Sequence, residues 1–181
     1  MRVLSVNVGE RRPIRAKSGY SGIFKEPVSG PVQLGEFGLA GDHIADTRHH
    51  GGLSQAVYVF TQPDYAAWEA VLGRTLPPGT FGENLLLSDL ESAPLRIGQT
   101  LRVGDTELEI TAPRIPCVTL AVRMGDPDFV HKFREMERPG FYCRVLRGGW
   151  LEAGQDAELG PEPFEYAPTI FKQFVTAFGG G

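Results

Sequence analysis

Two cysteines stand in this chain of 181 residues, Cys117 and Cys143, and their surroundings point to different fates. Cys117 lies in TAPRIPCVTL (111–120), directly after an alternating apolar run, where Pro113 and Pro116 force the backbone out of regular strand pairing. A thiol at the end of a strand can reach a ligand, and Arg114, three residues earlier, could lie near the sulfur. A neighbouring cation lowers a thiol pKa and favours thiolate, the form that binds soft metals or attacks electrophiles. The commoner fate of an unpaired cysteine is that of a small buried hydrophobe, and spacing alone leaves both readings open. Cys143 falls in FYCRVLR (141–147). There a period of two sets Phe141, Cys143 and Val145 on one face and Tyr142, Arg144 and Leu146 on the other. Cys143 is thus expected in the core and Arg144 on the opposite surface.

A second polar concentration is GDHIADTRHHGG (41–52), which packs Asp42, His43, Asp46, Arg48, His49 and His50 between glycines and holds three of the four histidines. His and Asp are common ligands of divalent metals, but Arg48 at the centre would repel one. The segment reads equally as a solvated loop. In TFGENL (80–85), Glu83 and Asn84 follow a glycine and precede an apolar run. Asn84 could present a donor and an acceptor to the edge of a heterocycle, or close a turn. Lys25, before Glu26-Pro27, taken alone is a surface charge.

The elements that must position these groups are short. Strands are expected over 2–8, 56–60, 83–87, 99–103, 106–112, 141–147 and 150–152, joined by connections rich in the chain's 23 glycines and 14 prolines. That pattern suits a closed or partly closed antiparallel barrel, a mainly β fold with a few helices. One helix starts at Thr61, with Pro63 and Asp64 in its first turn and Tyr65, Trp68 and Leu72 along one face. A second starts at Asp126 before Pro127, carries Phe129, Val130, Phe133 and Met136, and stops at Pro139-Gly140. A third occupies part of 168–177.

A formal net charge of -4 argues against non-specific nucleic-acid binding, which needs a basic footprint. The N-terminal stretch lacks the apolar core of a signal peptide, and no run is long enough to span a bilayer, so a cytoplasmic protein with reduced thiols is expected.

Taken in order, IFKEPV (23–28), GLAGD (38–42), RHHGG (48–52), FGENL (81–85), PRIPC (113–117) and GFYCRV (140–145) resemble the MOSC domain family. Within it they resemble the small bacterial branch linked to resistance against N-hydroxylated purines. Each motif is weak alone; six in sequence are specific. The resemblance covers about residues 1–160 and leaves 161–181 as a short tail with at most one vestigial helix. It implies a MOSC-type β-barrel, of the pyruvate kinase β-barrel-like kind, and a molybdenum cofactor (molybdopterin) whose metal is ligated by the cysteine matching Cys117. At family level, pyridoxal phosphate binding is also associated with the domain. Lys25, Arg48, His50, Asn84, Arg114 and Arg144 match positions expected around cofactor or substrate, while Asp42 and Glu83 match motif positions that shape loops. His49 stands where the related motif often carries an aromatic residue.

The chemistry agrees with what the resemblance implies. A cofactor phosphate calls for Arg or Lys, a pterin edge for amides, and molybdenum in a sulfur-rich sphere for one more thiolate. The implied activity is reduction of N-hydroxylated compounds, such as hydroxylaminopurines or amidoximes, with His50 as proton carrier because an imidazole titrates near neutrality. The sequence carries no flavin, iron–sulfur or haem motif, so electrons are expected from a separate protein, with the chain acting as monomer or homodimer. The alternatives are a non-catalytic cofactor carrier, a sulfur-transfer protein using a Cys117 persulfide, and, least favoured, a zinc hydrolase built on the histidine loop.

Overall fold

The computed structural model describes residues 1–43, 52–164 and 166–178. In chain order the elements are β1 (Val3–Val8), β2 (Arg12–Pro13), β3 (Tyr20–Ser21), β4 (Glu26–Pro27), β5 (Val32–Gly35), β6 (Gly38–Leu39) and β7 (Val57–Thr61). Then follow α1 (Gln62–Leu72), β8 (Leu85–Leu87), β9 (Thr100–Val103), β10 (Thr106–Pro113), α2 (Val118–Met124) and α3 (Phe129–Met136). The chain closes with β11 (Phe141–Arg147), β12 (Gly149–Leu151), β13 (Ala157–Leu159) and α4 (Ile170–Phe178).

Eight strands form one mixed sheet in the order β13-β9-β10-β11-β7-β8-β1-β4. The expected closed or partly closed antiparallel barrel is met in part, as a mainly β fold, and is refined on two points. First, β7 and β8 run parallel, because α1 crosses over between them and returns the chain in the same direction. Second, among the described residues no continuous ladder closes the sheet. The start of β1 meets the approach to β13 only through the Arg2–Asp156 bridge and backbone bonds such as Val3 N to Gln155 O (2.9 Å) and Ala157 N to Met1 O (3.0 Å).

Simple alternation in β1 also fails. A register shift between Val3 and Ser5 in the β1–β8 pairing lets Leu4 bulge outward, so that Val3 and Val6 both enter the core. On β11 the period holds where it matters. Phe141 and Cys143 are buried, and burial pushes the Cys143 thiol well above the ordinary range, so it is an inert part of the packing.

The helices cover one face with a second, aromatic core. Thr61 caps α1 by accepting from Asp64 N (3.4 Å), and Gly73, at φ 64°, ends it in the left-handed conformation. Tyr65 and Trp68 are thereby directed inward, and Trp68 stacks with Phe129 (5.2 Å) and Phe133 (5.4 Å) of α3. Helix α3 begins two residues later than the Asp126 signal suggests, with Asp128 at its cap, because Asp126 instead binds Asp128 N and Lys132.

The C-terminal stretch is more than a vestige. Ile97 N donates to Pro168 O (3.0 Å) and Ile170 N to Leu95 O (2.7 Å), which seats α4 against the body. Ile170 then joins the sheet core while Phe174 reaches Phe133 (6.3 Å) in the aromatic layer.

Glu83, just before β8, ties α1 to the turn that precedes the strand. Its carboxylate accepts from the Tyr65 hydroxyl (2.6 Å), Gly79 N (2.5 Å) and Phe81 N (3.1 Å) while fully buried. Desolvation raises its pKa above the usual carboxyl range, against the pull of these donors.

Two outcomes follow. Phe174→Ala should lower stability by about 3–5 kcal/mol, measured by denaturant unfolding, because it opens a cavity where α4 docks. Glu83→Gln should cost about 1–3 kcal/mol at neutral pH, since its amide turns N–H toward a backbone N–H. Because the folded pKa of Glu83 lies above its unfolded value, the stabilisation it confers is complete below the unfolded pKa. That stabilisation is lost as pH rises through the folded one, and the slope should be missing from the stability–pH curve of the glutamine variant.

Candidate functional site

Strand β10 ends at Pro113, and the next four residues run along the mouth of a cavity of about 590 Å³. Cys117 lines this cavity, half-buried, with extended backbone immediately ahead of α2. Buried Leu120 and Ala121 anchor the helix behind it, and the Cys117 carbonyl accepts from Leu120 N (3.0 Å). Neither cysteine is in a disulfide.

Arg114 forms the floor. It is buried, its Cζ lies 5.0 Å from the Tyr58 ring centroid, and Nη1 donates to the Tyr142 hydroxyl (3.3 Å). The two tyrosine rings lie 5.0 Å apart because β11 pairs Tyr142 with Tyr58 of β7. Burial works against the guanidinium charge, but Tyr142, Tyr58, Cys117 and Glu83 outweigh it and hold the group charged. Among the described residues Arg114 has no carboxylate partner, and its Nε has no hydrogen-bond partner. A fixed, buried cation on the lining of a largely apolar cavity, with a donor unused, is a site for an anion. The buried Oε1 of Gln55, on the same lining, is likewise unmatched.

The opposite wall is a closed knot. Lys25 Nζ binds both oxygens of the Asp42 carboxylate in a buried ion pair. Asp42 also accepts from Gly9 N (2.8 Å) and Asn84 Nδ2 (2.8 Å). Desolvation lowers the Lys25 pKa, and the Asp42 charge opposes that shift. Glycine is required at the back of this wall, since a Cβ on Gly22 would stand 1.7 Å from the His43 carbonyl oxygen.

The structure therefore brings Cys117, Arg114, Asn84 and Lys25 to one cavity. Asn84 does not offer a free amide edge there: its Oδ1 accepts from Tyr58 N (3.0 Å), and its Nδ2 serves Asp42 and the Asn7 carbonyl (3.3 Å). Lys25 acts first on Asp42. Arg144 is not brought to the cavity. The β10–β11 register sets it opposite Glu109, to which it donates at 2.8 Å on an exposed face. Arg48 and His50, with Asp46 and His49, lie outside the described residues.

Sequence reasoning missed Tyr58 and Tyr142 as lining residues. Tyr142 was within reach, since the same period that turns Cys143 inward turns it to the other face. His43, singled out with the polar residues of 41–52, does line the cavity beside Asp42.

Similarity to known proteins identifies the family of the chain. The chain is 36% identical over 159 residues to the protein YflK of Bacillus subtilis (strain 168), covering 87% of this chain and 72% of that protein. It is 31% identical over 152 residues to a protein named reductase from Gibberella moniliformis, covering 80% of this chain but only 26% of that protein. The crystal structure of YiiM from Geobacillus stearothermophilus superposes with a TM-score of 0.80 at 27% identity, covering 98% of this chain and 84% of that one. The family model of the MOSC domain matches residues 46–158, a span that includes Cys117, Arg114, Tyr58 and Tyr142, and the chain belongs to the MOSC domain family.

Proposed function

We propose that the cavity holds a molybdenum cofactor and that the protein reduces N-hydroxylated compounds with electrons from a separate electron-transfer protein. The observation that carries this reading is the Arg114 guanidinium, buried with no carboxylate ion pair among the described residues and with Nε unused, on the same lining as the Cys117 thiol. A buried guanidinium with a donor left unused favours a bound anion that can accept from it. Molybdopterin supplies both a phosphate for a cation and a metal for a thiolate. The family's association with this cofactor and the name reductase on the fungal relative point the same way.

Bound there, the cofactor would supply two-electron redox chemistry at molybdenum; the chain's own residues do the rest. Cys117 provides the protein thiolate, presented on a backbone fixed by α2. Arg114, braced by Tyr58 and Tyr142, holds negative charge without having to reorganise. Asp42 keeps Lys25 and Asn84 in place, so the wall stays rigid while ligands exchange. His50, from the RHHGG motif, remains the proposed proton carrier.

A carrier or persulfide-transfer role would use the same cavity, and the two are separable by experiment. Protein made in a host that synthesises the cofactor should contain molybdenum by elemental analysis and consume a hydroxylaminopurine when given a reductant. Cys117→Ala should abolish that turnover; undiminished turnover with full metal loading would sink the ligand role. Arg114→Ala should weaken cofactor retention by about 10–100-fold, as loss of a supporting contact does at metal sites. Arg144→Ala should leave retention unchanged, because its partner is Glu109.

A further inference from the structure

The cavity has a second charged feature, separate from Arg114. Strands β2 and β3 form a two-stranded hairpin whose tip overhangs the mouth, with Lys17, Ser18 and Tyr20 on the lining. The hairpin is strongly cationic in a chain of net charge -4: Arg11, Arg12, Arg15 and Lys17 fall within seven residues, all exposed. Arg12 is taken by Glu26 (2.7 Å). Arg11 lies over the Tyr20 ring, with its Cζ 4.0 Å from the centroid, so its charge is held at the rim. Arg15 and Lys17 have no ion pair among the described residues. The tip is fixed by Ile14 N donating to the Gly19 carbonyl (3.0 Å) and by burial of the Ile14 side chain beneath it. Across the mouth stand two exposed apolar side chains, Ile115 and Val118, flanking Cys117.

A ligand that satisfies both sides of this mouth has a flat apolar body and a negative charge a few ångströms away. The body rests between Tyr20 and the Ile115–Val118 edge, and the charge meets Lys17 on the lining, with Arg15 and Arg11 adding positive potential from beside it on the hairpin. We propose that the hairpin selects phosphorylated substrates, so that the N-hydroxylated base is accepted as a nucleoside monophosphate in preference to the free base or nucleoside. This rests on the reductase reading above and adds the substrate class. In the net reaction the N–O bond breaks, the external donor supplies two electrons, two protons are taken up, and the products are the amine and water. The hairpin cations take no part in that exchange and act on binding alone.

The test uses the cofactor-loaded protein, which keeps Arg114 occupied, with Arg15→Ala/Lys17→Ala as the variant. Calorimetry with adenosine and adenosine monophosphate reads affinity without turnover. The monophosphate should bind about tenfold more tightly at low salt, the preference should shrink as salt rises, and the double variant should lose it while binding adenosine as before. With hydroxylaminopurine substrates, the monophosphate should show the lower KM in the wild type only. Equal affinity for the two ligands, or a preference that survives the double variant, overturns the proposal. If an acidic redox protein loses affinity for the variant while nucleotide binding is unmoved, the hairpin is a protein-docking surface and the proposal is again overturned. Failure of the reductase reading shows differently, as absence of turnover with every substrate whatever the nucleotide affinities.

Discussion

The Asp42 carboxylate joins three stretches of chain that are distant in sequence. It binds the Lys25 ammonium ahead of β4, the Gly9 amide after β1 and the Asn84 amide ahead of β8. A buried carboxylate is tolerated only when its charge is balanced and its lone pairs are filled, and here two of its partners, Lys25 and Asn84, line one cavity with it. Replacing any one partner would leave the others facing an ion without enough donors. The wall is therefore rigid for electrostatic reasons, and the close approach of Gly9, Gly22 and His43 behind it leaves no room for an alternative packing.

That rigidity gives the opposite wall its meaning. On the Lys25 side the charge is met by a carboxylate in an ion pair; Arg114 has no such pair among the described residues. Two tyrosines brace the guanidinium, but neither neutralises it, and the Cys117 sulfur lies within its electrostatic reach. One cavity thus has a finished side and an unfinished side, and the unfinished side is where an anionic, metal-bearing ligand completes the charge balance.

Much of the fold was legible because it depends on local chemistry. The expected strands at 56–60, 99–103, 106–112 and 141–147 and the cap at Thr61 correspond to β7, β9, β10, β11 and the start of α1, each displaced by no more than one residue. Three features were not legible. The bulge at Leu4 depends on pairing with β8, the parallel β7–β8 contact on the path of α1, and the docking of α4 on an aromatic layer assembled from four separate segments. Short strands such as β2 and β3 also escaped, since two residues carry no period.

At the site the division is similar. Sequence by itself determined the family, through six short motifs in order, and identified Cys117, Arg114, Lys25 and Asn84 as residues worth placing together; it also separated the core cysteine from the cavity cysteine by strand period. Only tertiary structure decided what each polar group is bound to. It joined Lys25 and Asn84 to Asp42 and sent Arg144 to Glu109. It left the Nε of Arg114 without a partner at the floor of the cavity. The reason is physical: residue type fixes what a side chain can donate or accept, but which donors meet which acceptors is set by strand register and buried distance, and neither is written in local sequence.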